Sequence, residues 1–453
     1  MDVQHKKIGI WGFGIVGKAA AALLSTQSVS ITIMEKRELT QQENALINQY
    51  HATSIHQDSV NDFFDQNDLI LMSPGIDPRP YAQQYKHKFI TELDLLSSAF
   101  TKPIIAITGT VGKTSVTHFL STLLNRTMRV ATAGNIGIGM LDLINKQEQF
   151  DCAVLEVSSF QLEYCRQFQP HLAIITNLYS NHLDRHETVE NYLAAKLHIL
   201  SSQKKEQQAL LPIDLVSFKS VHDLVKQHPE GFSFFSLHKP SISFDYQLFW
   251  IENNQIFCKK NGIENSIAHV TQFPQTSFAI NWLIVAAALD ILGQPFNFDS
   301  SVDVESDILH HRLEKIETTQ KITFYNDSKS TVPESTLAAV HSFNNQPIVL
   351  IVGGLSKGVD RASLLIAQLP KNVVHVICFG TEKDQLFTAC TQYGIIASRY
   401  ETLQEAFIAA CTYANETIPV LFSPSGSSYD LFNNYQERGN AFKKLIRDCF
   451  TVV

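Results

Sequence analysis

Residues 104–115 read Ile-Ile-Ala-Ile-Thr-Gly-Thr-Val-Gly-Lys-Thr-Ser, an apolar run followed by two glycines, a lysine and hydroxyl residues. The apolar run predicts a buried β-strand, and Gly109 and Gly112 permit a tight turn whose amides face an anion at the start of the next helix. Lys113 would reach the terminal phosphates of a nucleotide, and the hydroxyl of Thr114 would bind Mg2+. We interpret the stretch as a phosphate-binding loop of an α/β protein.

This loop is a shortened variant of the usual pattern, because Ile107 stands where the strict motif has its first glycine. The alternative is a plain glycine turn between a strand and a helix, with a solvated lysine and no ligand. Other segments of the chain must decide between the two interpretations.

The composition limits the classes of protein to consider. The 453 residues exceed one ordinary domain, and 44% hydrophobic with 18% charged residues is typical of a globular chain. A formal net charge of -8 argues against an extended nucleic-acid-binding surface, so we expect small-molecule substrates and no nucleic acid. The seven scattered cysteines form no C-x-x-C pair, and no apolar run has membrane-spanning length. We expect a cytoplasmic monomer with reduced thiols and no stable membrane insertion.

Three stretches alternate short apolar runs with helical periodicity, the pattern of parallel sheets flanked by helices. We predict domains at 1–98, 99–299 and 300–453, with 205–272 strand-like and irregular. The strands predicted are 7–11, 30–34, 69–72, 152–157, 172–176, 322–325, 347–352, 373–379 and 419–422, and the helices include about 17–26, 188–200 and 276–292.

The first domain carries a second glycine motif. Gly12-Phe-Gly-Ile-Val-Gly17 lies between the first strand and the first helix, and Glu35 ends the second strand. This arrangement matches a dinucleotide-binding fingerprint of a Rossmann-like domain, with a pyrophosphate at the helix start and the acid on a ribose. A nucleoside diphosphate fits equally well, and a turn without a ligand is the third possibility.

Polar groups follow the strands of the other two domains. Glu156 ends an apolar strand and could bind Mg2+, or could cap a neighbouring helix. Residues 177–186 combine histidines, an aspartate and an arginine, whereas Lys196 between alanine and leucine resembles an ordinary surface lysine. Further charged segments at strand ends indicate an anion-binding cleft, and they comprise 310–314, 326–331, 353–357, 423–430 and 435–440.

Taken in order, these segments resemble the Mur ligases of bacterial cell-wall synthesis, and among them the members that add D-glutamate to UDP-N-acetylmuramoyl-L-alanine. The resemblance covers nearly the whole chain and is far more specific than either glycine motif. It rests on Ser73-Pro-Gly75, 108–115, Gly134-Asn135-Ile-Gly137, 155–162, His182-Leu-Asp-Arg185, 194–197, His311-Arg312, Asn326-Asp-Ser-Lys329 and Gln436-Glu-Arg-Gly-Asn440.

The resemblance implies a three-domain ATP-dependent amide ligase of peptidoglycan precursor synthesis, with a Rossmann-like N-terminal domain, a central P-loop ATPase-like domain with a mostly parallel sheet, and a Rossmann-like C-terminal domain. It implies catalytic roles for Lys113, His182 and Lys196. It also implies two Mg2+ ions held by Thr114, Glu156, His182 and Lys196, with Lys196 carbamylated so that a cation becomes an anionic ligand.

The resemblance further assigns three sets of binding residues. ATP would contact Gly109, Thr110, Gly112, Lys113, Thr114, Ser115, Asn281, Arg312 and Asp327. The UDP-substrate would contact Gly14, Ile15, Val16, Arg37, Ser73, Gly75, Asn135 and His182. D-Glutamate would contact Lys329, Thr331, Lys357, Ser428 and Tyr435.

The chain departs from the family pattern at several positions. Val111 replaces a common Asn, Asn181 replaces an acid, Phe278 replaces an adenine-contacting Asn, and Ser425-Gly426 replaces a more typical Ala-Cys. Within the family the alternative is the ligase that adds L-alanine to UDP-N-acetylmuramate. From other classes, the alternatives are an NAD-dependent oxidoreductase built on the first domain and a nucleotide-binding regulatory module without turnover.

Overall fold

The fold was analysed in a computed structural model, and its description excludes a small set of residues. The residues described are 2–452 except 57, 59, 136, 203, 205, 242–244, 271, 272, 274–278, 296–309 and 344. Phe278, the predicted start of the 276–292 helix and the predicted domain boundary at 299/300 therefore lie outside the described residues.

The N-terminal part forms a five-stranded parallel sheet in the order β3-β2-β1-β4-β5. Its elements are β1 Lys7–Trp11, α1 Ile15–Leu24, β2 Ser30–Glu35, α2 Gln41–Gln49, β3 Thr53–His56, α3 Val60–Gln66, β4 Leu69–Met72, α4 Arg79–Tyr85, β5 Phe89–Ile90 and α5 Glu92–Ala99. The first helix begins two residues earlier than predicted, and α5 continues into the polar segment after Ser97.

The central part forms a nine-stranded sheet in the order β14-β13-β12-β11-β10-β9-β6-β8-β7, in which β13 pairs antiparallel with both β12 and β14 and the other described pairs are parallel. Its elements are β6 Ile104–Thr108, α6 Lys113–Leu124, β7 Val130–Gly134, α7 Asp142–Lys146, β8 Cys152–Glu156, α8 Ser159–Leu162, β9 Leu172–Ile175, α9 Leu183–His186, α10 Val189–Leu197, β10 Gln208–Pro212, α11 Lys219–Gln227, β11 Phe232–Ser236, β12 Gln247–Glu252, β13 Gln255–Lys260, β14 Ile263–His269 and α12 Ala279–Ile291.

The C-terminal part forms a six-stranded sheet in the order β15-β16-β20-β17-β18-β19, parallel except for the edge strand β15. Its elements are β15 Glu314–Glu317, β16 Thr323–Asn326, α13 Pro333–His341, β17 Ile348–Gly353, α14 Arg361–Leu364, β18 Val373–Phe379, α15 Lys383–Gln392, β19 Ala397–Tyr400, α16 Leu403–Tyr413, β20 Val420–Phe422 and α17 Tyr435–Cys449.

The contacts between residues divide the chain into two compact units. The first comprises Met1–Leu178 and Glu190–Ser300, and the second comprises Tyr179–Val189 and Ser301–Val453. The first two sheets thus belong to one unit, and the proposed division into three domains at 98/99 and 299/300 stays a prediction.

Within the first unit, polar contacts join the N-terminal and central sheets. Gln161 in α8 donates a hydrogen bond to Glu92 in α5 at 2.8 Å, and its own amide oxygen caps α8 at Ser158. Asp94 accepts hydrogen bonds from the backbone amides of Arg166 and Gln167 at 2.7 and 2.8 Å. The segment that follows Glu156 is therefore fixed to the N-terminal sheet.

The apolar strands are buried as their composition predicts. β4, β6, β8, β9 and β17 are buried at every position, because helices cover both faces of a parallel sheet. Among the described residues, no helix is long and apolar enough to cross a membrane. All seven cysteines lie in the described part of the chain and are free thiols.

Candidate active site

The turn after β6 has the strained glycine geometry that the sequence predicts. Gly109 has φ +144°, and a Cβ there would lie 2.0 Å from the Thr176 hydroxyl oxygen. Gly112 has φ +84°, caps α6, and would place a Cβ 2.6 Å from the side-chain oxygen of Asn281. Glycine is therefore required at both positions of the turn. The turn leads directly into the amino end of the twelve-residue helix α6, where unpaired amides favour an anion.

Asn177 holds this turn in place, a role that no sequence motif indicates. Its side-chain oxygen accepts hydrogen bonds from the amides of Thr110 and Val111 at 3.2 and 2.9 Å, and its nitrogen donates to the Val111 carbonyl. Val111 is thus positioned through its backbone. The amides of Thr110 and Val111 are thus occupied by Asn177, whereas those predicted to bind an anion lie in the first turn of α6, which includes Thr114 and Ser115.

Two lysines converge on one carbonyl beside the turn. Lys113 Nζ donates to the carbonyls of Gly109 and Thr110 at 3.0 and 2.9 Å, and Lys196 Nζ donates to the same Gly109 carbonyl at 2.8 Å. Lys196 lies in α10, is 1% exposed and packs 4.4 Å from the centre of the Tyr192 ring. Burial, reinforced by the positive charge of Lys113, lowers the pKa of Lys196 well below its ordinary value.

Lys196 is therefore not the surface lysine that its neighbours in the sequence suggested. Burial favours the neutral form of its amine, because the water that would stabilise the ammonium is excluded and the described partners are neutral oxygens.

Glu156 ends β8, directly beside β6 in the parallel sheet, and is paired in register with Ile107 and Gly134. It is 4% exposed, and its Oε2 atom has no hydrogen-bond partner in the described structure. A buried carboxylate oxygen without a partner costs free energy unless a ligand satisfies it. Asn135 is exposed, and its amide donates to the Glu156 carbonyl at 3.3 Å, so both lie at the same edge of the sheet.

The N-terminal glycine motif forms a second strand-to-helix turn. Gly14 caps α1, Ile15 is 85% exposed, and a Cβ at Gly17 would lie 2.1 Å from the Gly12 carbonyl oxygen. Ser73, after β4, donates to that same carbonyl at 3.0 Å, which joins the two loops predicted to bind the UDP-substrate. Gly14 and Gly75 have open space where a side chain would be, and Val16 is half-buried in α1.

The acid at the end of β2 faces the turn. Glu35 accepts a hydrogen bond from the amide of Phe13 at 2.8 Å. Arg37, predicted to contact UDP, instead makes a bidentate pair with Glu43 at 2.6 and 2.8 Å, and Lys18 reaches the same carboxylate at 2.8 Å. The two cations lower the pKa of Glu43 strongly.

In the second unit, the residues predicted to contact ATP lie around Asp327. This residue follows β16, is 5% exposed, and accepts a hydrogen bond from the Ser423 hydroxyl at 2.7 Å. Burial raises its pKa to about 7, although that bond and the charges of Arg312 and Arg438 oppose the shift. His311 is buried beside Arg312, and its pKa falls to about 4 for the same reason.

The residues predicted to bind D-glutamate follow three adjacent parallel strands, β16, β20 and β17. Lys329 Nζ lies 5.5 Å from the centre of the Tyr435 ring, and Thr331 follows two residues later. Lys357 has a left-handed backbone with φ +55°, and Ser428 is buried. The carboxyl ends of adjacent parallel strands form one edge of a sheet, so this edge gathers all five residues.

His182 also has a left-handed backbone, with φ +54°, and caps α9 in the segment that groups with the second unit. Asn281 lies in α12 of the first unit, against the phosphate-binding turn. Two buried arginines of the second unit bind backbone carbonyls with their charged groups. Sequence reasoning missed Arg361 and placed Arg438 only within the charged segment 435–440, with no role of its own.

Comparisons with known proteins identify the family. The Mur ligase middle domain family matches residues 107–289. The UDP-N-acetylmuramoylalanine–D-glutamate ligase of Desulfotalea psychrophila is 30% identical, covering 98% of this chain and 96% of that protein. The chain belongs to the Mur ligase family. The enzyme of the same name from Oenococcus oeni is 31% identical over 99% of this chain and 98% of its own length.

A solved structure agrees with this membership at the level of the fold. The Mur ligase MurF of Thermotoga maritima, solved in complex with ADP, superimposes with a TM-score of 0.56 at 14% identity, covering 92% of this chain and 94% of that one. The predicted α/β fold and the predicted ligase class are therefore confirmed, and the oxidoreductase alternative is wrong.

Proposed function

We propose that this Mur ligase joins D-glutamate to UDP-N-acetylmuramoyl-L-alanine with the hydrolysis of ATP to ADP and phosphate. The observation that carries the proposal is the full-length similarity, at 30 and 31% identity, to ligases named for that reaction. The geometry supports it, because a phosphate-binding turn, an unpartnered buried carboxylate and a cationic edge all lie on predicted site residues.

The reaction would proceed in two steps. The alanine carboxylate of the substrate attacks the γ-phosphorus of ATP, so that an acyl phosphate forms and ADP leaves. The neutral amine of D-glutamate then attacks the acyl carbon, the C–N bond forms, and inorganic phosphate leaves. Solvent takes the proton that the amine loses. Lys113 and the first-turn amides of α6 offset the negative charge of the phosphates. Asn281, Arg312 and Asp327 complete the proposed ATP contacts.

The residues at the end of β8 fit a Mg2+ ion. Mg2+ takes oxygen ligands, and Glu156 supplies a buried carboxylate oxygen that has no partner among the described residues. Thr114, in the first turn of α6, supplies a half-buried hydroxyl. Bound there, Mg2+ would neutralise phosphate charge. His182 completes the proposed metal and substrate contacts.

The environment of Lys196 fits carbamylation. A neutral amine attacks CO2 to give a carbamate and one proton, and burial lowers the pKa of this amine, which favours the neutral form that reacts. The product would place an anion beside the ammonium group of Lys113, which attracts it, and would supply oxygen ligands for a second Mg2+. Native mass spectrometry without acid should show the mass of one added CO2 in the protein and not in Lys196→Met. A wild-type protein whose mass equals that calculated from its sequence, without the added CO2, would refute the modification.

The N-terminal turn would hold the uridine diphosphate. The amino end of α1 and the joined loops at Gly14 and Ser73 suit a diphosphate, and the exposed side chain of Ile15 lies beside them. Arg37 would have to exchange its contact with Glu43 for the ligand, or act while retaining it.

The incoming D-glutamate carries two carboxylates, and the edge formed by β16, β17 and β20 presents Lys329 and Lys357 with the hydroxyls of Thr331, Ser428 and Tyr435. Two cations for two carboxylates is the charge that the proposed substrate requires. We place the enzyme in the cytoplasm as a monomer, on the basis of its free thiols and small-molecule substrates.

The decisive experiment measures phosphate release from ATP with the substrates omitted one at a time. Release should require both UDP-N-acetylmuramoyl-L-alanine and D-glutamate, and Lys113→Ala should abolish it while the exposed control Lys146→Ala retains it. Turnover with UDP-N-acetylmuramate and L-alanine, or with a diamino acid in place of D-glutamate, would reject the proposal. ATP binding without any product would favour the regulatory module.

A further inference from the structure

We propose that Arg361, together with Glu382, is a positioning residue that shapes the amino-acid-binding edge of the second unit. The inference rests on the proposed function, because it assigns D-glutamate to the loops after β17 and β20. Arg361 is 4% exposed, so it acts on the substrate through the backbone that it holds and not by contact.

The guanidinium of Arg361 binds the end of β17. Nη1 donates to the Gly353 carbonyl at 2.8 Å, and Nη2 donates to the Gly354 carbonyl at 2.9 Å. Gly354 has φ +73°, and a Cβ there would lie 2.3 Å from the Ser427 carbonyl oxygen. Arg361 therefore fixes the point at which the chain leaves the sheet and turns towards Lys357.

Glu382 contacts both Arg361 and the far end of the same loop. Its Oε2 pairs with Arg361 Nη2, and its Oε1 accepts hydrogen bonds from the amide and hydroxyl of Ser356 at 3.0 and 3.2 Å. Ser356 immediately precedes Lys357, whose left-handed backbone sets the direction of the side chain. Arg361 and Glu382 thus hold both ends of the four-residue segment that leads to Lys357.

The loop held by Arg361 and Glu382 is also paired with the segment that leads to Ser428. Leu355 and Ser427 exchange two backbone hydrogen bonds of 2.9 Å, so the loop after β17 and the loop after β20 move together. A Cβ at Gly426 would lie 2.5 Å from the Gly353 carbonyl oxygen and 2.7 Å from Arg361 Nη1. The space beside Gly426 is therefore occupied by the guanidinium and by the carbonyl that it binds.

Stability alone is a poor explanation for this buried ion pair. Its desolvation cancels much of its attraction, and apolar residues of similar volume often serve as well. Four directed hydrogen bonds to the backbone and hydroxyl of one loop, with a fifth that joins the two side chains, are an arrangement that fixes geometry. Both Lys357 and Ser428, which carry the proposed carboxylate contacts, depend on that loop.

The test compares steady-state constants of the full-length enzyme for its three substrates. Because loss of a charge-assisted hydrogen bond is involved, Arg361→Met should raise KM for D-glutamate by about 10- to 100-fold. KM for ATP and for the UDP-substrate should stay within about twofold, since their proposed sites do not include this loop. Arg361→Lys should recover part of the loss. Glu382→Gln and Gly426→Ala should shift the same constant in the same direction.

Arg399→Met is the matched control, because Arg399 is an exposed arginine of β19 that pairs with Asp384. It should leave all three constants unchanged, and thermal unfolding should verify that each variant is folded. Equal changes in all three constants, or a fall in kcat that tracks the folded fraction, would overturn the inference. Wild-type enzyme that turns over without D-glutamate would instead overturn the proposed function, so the two failures are distinguishable.

Discussion

Asp327 should make the stability of the protein fall as the pH rises, and Asp327→Asn should remove this dependence. Its carboxyl is buried, and its pKa rises from the ordinary value of 3.8 to about 7. The folded protein then holds a proton that the unfolded chain releases. Well below pH 3.8 the carboxyl is protonated in both the folded and the unfolded protein. As the pH rises from 3.8 through 7 the unfolded chain releases its proton first, so the free energy of unfolding falls.

The magnitude follows from the shift. Each pKa unit corresponds to about 1.4 kcal/mol, so the complete penalty above the folded pKa is about 4 kcal/mol. Between pH 5.5 and pH 8.5 the wild type should lose about 2 kcal/mol of unfolding free energy relative to Asp327→Asn. For a unit of this size that difference corresponds to roughly 4–8 °C in Tm.

The assay is thermal unfolding across that pH range, followed for wild type, Asp327→Asn and the exposed control Asp448→Asn. Asparagine keeps the size of the side chain, and the hydroxyls of Ser423 and Thr336, 3.0 Å apart, can reorient to satisfy it. The Tm of wild type and of the control should fall together as the pH rises, while that of Asp327→Asn stays higher at pH 8.5. Parallel profiles for all three proteins would refute the buried, proton-holding carboxyl.

Two further predictions concern the glycine turn and the N-terminal sheet. Gly109→Ala should lower the unfolding free energy by about 2 kcal/mol or more and weaken ATP binding in calorimetry, because its Cβ would meet Thr176 at 2.0 Å; unchanged values would contradict the turn geometry. Glu43→Gln should lower the urea midpoint at pH 7, because Arg37 and Lys18 lower the pKa of Glu43 and an ionised Glu43 stabilises the fold. That difference should shrink progressively as the pH falls from the ordinary pKa of glutamate towards the lowered pKa of the folded state; a difference that does not shrink over this range would exclude the ion pairs as its source.

The sequence predicted the parallel strands well because their signal is strong and local. β1 and β4 occupy the predicted residues, and β8 and β9 differ by one residue at one end. A strand buried on both faces must be apolar at every position, and such a run between turn residues has few other interpretations. The region 205–272 is predicted only as strand-like and irregular, without individual strands, although it contains β10–β14. Its strands near the sheet edge alternate polar and apolar residues over short lengths, which makes their bounds hard to predict.

In the candidate site, too, residues with a strong local signal were predicted and residues without one were not. Glycines that require a positive φ are visible in a sequence because no other residue can replace them, so Gly109 and Gly112 were found. Asn177 was not found, since an asparagine after a strand has many possible roles. Its function appears only when the fold brings it to the amides of Thr110 and Val111, two residues almost seventy positions away.

Lysine and arginine show why the remaining part could not be predicted. Lys196 and Arg361 each lie in short polar or alanine-rich segments that are typical of exposed helices, yet both are almost completely buried. A buried basic side chain is tolerated only where carbonyl or carboxylate oxygens lie within hydrogen-bonding distance of it. These oxygens come from distant parts of the chain, so only the folded structure shows that they meet. Both residues look like ordinary surface cations in the sequence, and their burial therefore carries information that the sequence lacks. Lys196 lies beside the phosphate-binding turn, and Arg361 lies beneath the proposed amino-acid-binding loops.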